Sequence, residues 1–85
     1  MNIFDDVKNL IQSNITDAKV KVSDLTGTQD HLGILVASDQ FSGKMLFQQH
    51  KMIMDILSER LKTDIHAVQI KTMTHEQAQE QNIIF

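Results

Sequence analysis

Apolar residues recur at three- and four-residue spacing near the start of the chain. They are Ile3, Phe4, Val7, Leu10 and Ile11. This spacing predicts an amphipathic helix over residues 3 to 13. Asp5 and Asp6 fall in its first turn, where the helix dipole favours negative charge, so the first predicted element is a helix.

The next two segments change to the alternating pattern of strands. In residues 18 to 25, apolar residues alternate with lysine and serine, which predicts a strand with one solvated face. Residues 31 to 38 predict a second strand, in which Ile34 and Val36 are expected to face the core. The sequence TGTQD between them has turn chemistry, so the two strands should form a β-hairpin.

Residues 42 to 63 return to helical spacing. The stripe comprises Leu46, Phe47, His50, Ile53, Met54, Leu57 and Leu61. It predicts one amphipathic helix, with the alternative that a short separate turn around Gly43 precedes it. We expect Met54 to lie in the core and His50 to be a hydrogen-bonded core histidine.

A third strand and a polar helix complete the pattern. Residues 65 to 72 predict a strand, because Ile65, Val68 and Ile70 suit a half-buried pleated surface. Thr74 followed by Gln77 is a capping box that opens a polar C-terminal helix and tail. The order is therefore α-β-β-α-β-α, an α+β fold in one domain spanning residues 1–85.

The helix between strands two and three bears on their direction. A connection of roughly 24 residues that contains a helix suits a right-handed crossover between parallel strands. Parallel strands start at the same edge of the sheet. If these two are parallel, His31 at the start of strand two and His66 at the start of strand three share one edge.

Composition narrows the function classes. The 85 residues include no cysteine, so a metal held by this chain alone would need His, Asp or Glu. The net charge of −3 opposes tight non-specific nucleic-acid binding. No apolar run approaches the ~18 residues of a membrane span, and the acidic N-terminal stretch is no signal peptide, so we expect a cytoplasmic protein. We find no phosphate loop or nucleophile motif and expect no enzyme activity.

Several of these features occur together in one known family. They are an F-x-G-K turn at Phe41 to Lys44, His50 in the following helix, and an I-H-A strand at Ile65 to Ala67. In this order and spacing the chain resembles the BolA family, nearest its acid-stress (IbaG-like) branch. The resemblance runs from about residue 3 to 77.

The resemblance implies both a fold and a partner. The fold would be a three-stranded mixed sheet packed by helices, related to the type II KH domain. The partner would be a monothiol glutaredoxin, with a [2Fe–2S] cluster shared between the two proteins and held by a glutaredoxin Cys, a glutathione thiolate and His from this chain. The family's C-terminal ligand falls on His66. The loop between strands one and two offers His31, which is either the second ligand or only a strand-start residue.

The resemblance also leaves a second function open. Family members have been regarded as stress-response transcriptional regulators, so DNA binding is the alternative. Lys44, Lys51 and Lys71 would form the surface for a partner or nucleic acid, but the G-x-x-G loop by which a KH domain grips nucleic acid is absent. We expect the isolated chain to bind no cluster and to be a monomer or a weak homodimer.

Overall fold

The computed structural model describes residues 3–25, 27, 31–63 and 67–85. The helices are α1 (Ile3–Asn14), α2 (Leu46–Ile56), α3 (Ser58–Thr63) and α4 (His75–Glu80), and a 3₁₀ turn spans Asp39–Phe41. The strands are β1 (Lys19–Asp24), β2 (His31–Ala37) and β3 (Ala67–Met73). The predicted α+β class and element order are confirmed, with the central helix divided in two.

The three strands form one mixed sheet in the order β1-β2-β3. β1 and β2 are antiparallel, with Val22 opposite Ile34, as the predicted hairpin requires. β2 and β3 are parallel, with Ile34 opposite Ile70. The crossover argument is therefore confirmed: a helical connection returns the chain to a parallel neighbour.

The alternative of a separate turn around Gly43 is confirmed, but the helix that follows it is not continuous to residue 63. A turn with Gly43 at φ +78° precedes α2, and this is the position where glycine avoids the strain of a left-handed backbone. The helix then stops at Leu57, whose backbone has φ −92° and ψ 2°. Leu57 is fully buried, so the break redirects the chain into α3 without removing this apolar side chain from the core.

The apolar stripe of α2 is also less buried than its periodicity predicts. Leu46 and Phe47 are 60% and 73% exposed, and Met54, expected in the core, is 41% exposed. The α2 side chains that face the sheet come later in the helix. Gln49 Oε1 accepts a hydrogen bond from Thr72 of β3, and Ile53 is fully buried. The periodicity identifies the apolar face of the helix. It does not show how much of the helix length packs against the rest of the protein.

The main core lies between the helices and one face of the sheet. Its buried members are Val7, Ile11, Ile15, Ala18, Val20, Leu32, Ile34, Val36, Phe41, Ile53 and Leu57. Ile34 and Val36 are inward, as predicted. A second, smaller cluster of Ala37, Met73 and Ala78 packs α4 against one end of the opposite face, which we call the outer face.

The capping box that begins α4 is present as predicted, because Thr74 and Gln77 exchange side-chain to backbone hydrogen bonds. Within the ranges that the structure describes, none of the helices has the length and apolar character needed to cross a bilayer.

Candidate functional site

The candidate ligand edge lies where β2 and β3 begin. His31 is the first residue of β2, is half-buried, and pairs across the parallel ladder with Ala67. Its carbonyl oxygen accepts a hydrogen bond of 2.9 Å from Leu25 N, which fixes the backbone at this point. His66, the residue before Ala67, lies outside the described residues. The structure thus establishes the parallel register and the position of His31, and the pairing of the two imidazoles stays a prediction.

The same edge continues into an open groove on the outer face. Side chains alternate along β2, so His31, Gly33 and Leu35 share this face while Leu32 and Ile34 are buried in the core. A Cβ added to Gly33 would lie 2.8 Å from Ser23 Oγ and 3.1 Å from Leu25 Cδ2. A side chain at Gly33 would therefore have to displace the side chains of Ser23 and Leu25 that line the groove. Its volume is about 400 Å³.

Two lysines stand on either side of this groove. Lys21 of β1 pairs with Leu35 of β2, and Leu35 pairs with Lys71 of β3, so the three residues form one row across the sheet. Lys21 and Lys71 are exposed and Leu35 is half-buried. We call the surface formed by Lys21, Leu25, Gly33, Leu35 and Lys71 the outer-face groove.

The lysines predicted as a binding surface do not form one surface. Lys51 lies on α2 and is engaged by Asp55, with 2.9 Å between Nζ and Oδ2. Lys71 lies on the outer face, because the next residue, Thr72, points to α2 on the other side of the sheet. Lys44 is exposed in the segment that precedes α2. Sequence reasoning missed Lys21, because its place in the same row as Lys71 follows only from the strand register.

A second polar group ties α4 to the rest of the fold. Ser38 Oγ donates to Asp17 Oδ1 at 2.5 Å, and Asp39 N donates to Asp17 Oδ2 at 2.8 Å. His75 Nε2 lies 2.9 Å from the Asp17 carbonyl oxygen and 3.4 Å from Asp17 Oδ2. The hydroxyl of Ser38 is the main reason that the pKa of Asp17 is lowered, with smaller contributions from Asp39 N–H and His75.

This cluster is also the one place in the described ranges where three candidate metal ligands converge. Ligand atoms of Asp17, Asp39 and His75 lie within 4.8 Å of one another. The carboxylate of Asp17 is already bonded to Ser38 and to the backbone of Asp39. These hydrogen bonds are enough to explain the cluster, which anchors α4 to the rest of the fold. Sequence reasoning missed it because Asp17 and His75 are far apart along the chain.

Comparisons with known proteins agree with this fold. A family model described as BolA-like protein matches residues 6–77. An uncharacterized protein of Rickettsia prowazekii, RP812, is 31% identical over 70 residues, covering 82% of this chain and 91% of the relative. The DNA-binding transcriptional regulator BolA of Escherichia coli is 35% identical over 48 residues, covering 56% of this chain and 46% of the regulator.

A solved structure has the same fold as this chain. BolA1 from Arabidopsis thaliana superposes with a TM-score of 0.82 at 21% identity, covering 89% of this chain and 95% of that one. The chain is thus a small α+β domain with a mixed three-stranded sheet, and it belongs to the BolA family. Its assignment to the acid-stress branch stays a prediction.

Proposed function

We propose that this protein is a non-enzymatic, cytoplasmic carrier that pairs with a monothiol glutaredoxin to hold or transfer a [2Fe–2S] cluster. His66 and His31 are the ligands that the chain supplies in this proposal. The supporting observation is the parallel register of β2 and β3, in which His31 lies opposite Ala67, the residue that follows His66. His31 and Ala67, which are distant in sequence, thereby lie side by side at one edge of the sheet.

The ligand chemistry explains why a partner is required. A neutral imidazole is a suitable ligand for iron, and two imidazoles can replace two thiolates on one iron of a [2Fe–2S] centre. The chain contains no cysteine, so it cannot supply the remaining thiolates. In the proposed complex these come from a glutaredoxin Cys and from glutathione. A protonated imidazole cannot bind iron, so acidification should release the cluster.

The experiment combines the full chain with a monothiol glutaredoxin, glutathione, iron and sulfide. We expect a coloured heterodimer whose spectrum reports nitrogen ligation, and no colour from the chain alone. His66→Ala should abolish the nitrogen signature. His31→Ala should weaken it if His31 is the second ligand. His50→Ala is the matched control, because His50 is half-buried on α2 and distant from this edge in the sequence.

The outcomes separate ligands from structural residues. Circular dichroism of each variant must first show the wild-type fold. An unchanged cluster spectrum in folded His66→Ala would mean that the ligand assignment is wrong. An unchanged spectrum in His31→Ala would leave His31 as a strand-start residue, which is the alternative that the sequence left open.

DNA binding is the second candidate, and the match to the Escherichia coli regulator is the observation that favours it. The net charge of −3 and the missing G-x-x-G loop predict weak, salt-sensitive binding. Fluorescence anisotropy with a duplex probe, measured at increasing salt, tests this. Tight and sequence-selective binding at physiological salt that survives His66→Ala would favour the regulator over the carrier.

A further inference from the structure

In the part of the chain that the structure describes, α4 covers one end of the outer face of the sheet and leaves the other end open. Ala37 and Met73 are buried under Ala78 of α4. Toward His31 the face is formed by the outer-face groove, where Leu25 is 48% exposed. Among the residues that the structure describes, no helix covers this partly apolar sheet surface beside the residue proposed as a ligand.

The charges around this surface are not neutralised within the part of the chain that the structure describes. Lys21 and Lys71 flank Leu35, and neither has an acidic partner among those residues. By alternation along the strands, β1 and β3 place lysine but no acidic residue on this face. The chain as a whole carries a net charge of −3, so this face differs in sign from the whole molecule.

We propose that the outer-face groove is the surface on which the glutaredoxin partner docks. In this arrangement the partner presents an apolar side chain to Leu25 and Leu35, between carboxylates that bind Lys21 and Lys71. The inference rests on the proposed function, and it extends that function from the ligands to the docking surface and to the acidic chemistry of the partner segment.

Distance supports continuity between the ligand edge and the groove. A strand advances about 3.3 Å per residue, so Gly33 lies roughly 7 Å and Leu35 roughly 13 Å from His31 along β2. A typical protein interface buries about 800 Å² on each partner, which corresponds to a patch of roughly 16 Å radius. An interface of this size centred at His31 would therefore reach Gly33 and Leu35 in the groove.

The composition of the face favours a protein segment over a nucleic acid. Proteins that bind single strands combine lysines or arginines with aromatic rings on which bases stack. β1, β2 and β3 contain no Phe, Tyr or Trp, so His31 is the one ring that these strands offer a base on this face. Two lysines separated by an aliphatic side chain instead match an apolar anchor with acidic neighbours.

The experiment reverses the two charges and measures the cluster-bridged complex with the monothiol glutaredoxin. We expect Lys21→Glu with Lys71→Glu to raise the dissociation constant by about tenfold or more, since like charges facing each other across an interface are strongly unfavourable. The nitrogen-ligation spectrum of the complex formed at high protein concentration should not change. Raising the salt concentration should weaken the wild-type complex and affect the variant less.

The matched control is Lys8→Glu with Lys62→Glu, which changes the net charge equally at exposed sites on α1 and α3. An unchanged dissociation constant in the Lys21 and Lys71 variant, or equal weakening in the control, would overturn the docking surface while the carrier function stands. Failure of the wild type to form a coloured complex would instead overturn the carrier function, and the docking surface with it. Single-stranded DNA that binds the wild type through these lysines without displacing glutaredoxin would also overturn the proposal.

Discussion

Replacing Ser38 with alanine should destabilise the domain and change its response to acid. Ser38 is fully buried, and its hydroxyl has two partners. It donates to the carboxylate of Asp17 at 2.5 Å and accepts from Gln40 N at 3.0 Å, which caps the 3₁₀ turn. Alanine removes both hydrogen bonds and leaves the Gln40 N–H and one Asp17 oxygen without this partner.

The magnitude follows from these two bonds. A hydrogen bond to a charged group contributes about 1.5–3 kcal/mol, and loss of a capping hydroxyl costs about 0.5–2 kcal/mol. The two bonds share one hydroxyl and Asp17 is partly exposed, so the contributions do not simply add. We expect Ser38→Ala to lower the free energy of unfolding by about 2 kcal/mol, which for a domain of this size lowers Tm by about 10 °C.

The acid response provides a second readout. The hydroxyl of Ser38 is the main cause of the lowered pKa of Asp17 in the folded state. A lowered folded-state pKa stabilises the protein above the ordinary value of 3.8, and this stabilisation is lost as pH falls through the folded-state pKa. With Ser38→Ala much of the lowering disappears. The stability difference between wild type and variant should therefore shrink as pH falls below about 4.

Urea denaturation from pH 7 to pH 3 measures both effects. Ser42→Ala is the control, because Ser42 is exposed and its described cap contact uses the backbone N–H. It should change the unfolding free energy by less than about 0.5 kcal/mol. A Ser38→Ala protein as stable as the wild type, or one whose deficit stays constant down to pH 3, would refute the role assigned to this hydroxyl.

Two further substitutions test packing. Gly33→Ala should lower the free energy of unfolding, measured by urea denaturation, by about 1 kcal/mol, because the new Cβ would crowd Ser23 Oγ and Leu25 Cδ2. Adding Ser23→Ala should restore part of this loss. If it restores nothing, the crowding argument is contradicted. Ile53→Ala should cost about 2–5 kcal/mol, because Ile53 is fully buried and leaves a cavity; the same truncation at half-buried Ile56 should cost less, and equal losses would contradict the burial.

Local sequence patterns were sufficient for most of the fold. Alternation identified β1 and β2, and it correctly turned Ile34 and Val36 inward. The helical crossover correctly predicted that β2 and β3 are parallel. The break at Leu57 was not predictable, because the apolar spacing continues unchanged across it and the interruption depends on how the buried side chain meets the core.

The candidate site was predictable only in part. The crossover argument correctly brought the start of β2, where His31 lies, to the start of β3, while the role of His31 as a ligand stays a prediction. To predict the row of Lys21, Leu35 and Lys71, the register of both strand pairs must be known. A shift of one residue in either pair would move a lysine to the core face. No local pattern fixes that register for strands joined through a helix.

The anchoring of α4 explains which half of the outer face stays open. Asp17 accepts from Ser38 and lies against His75 at the start of α4, while Ala78 packs on Ala37 and Met73. These contacts hold the helix over the end of the sheet where β2 and β3 finish. A small domain gains stability by burying apolar area, yet no described helix packs on the half of this face beside His31. The same anchor that stabilises one end of the sheet thereby holds α4 away from the outer-face groove and from the proposed ligand edge at His31.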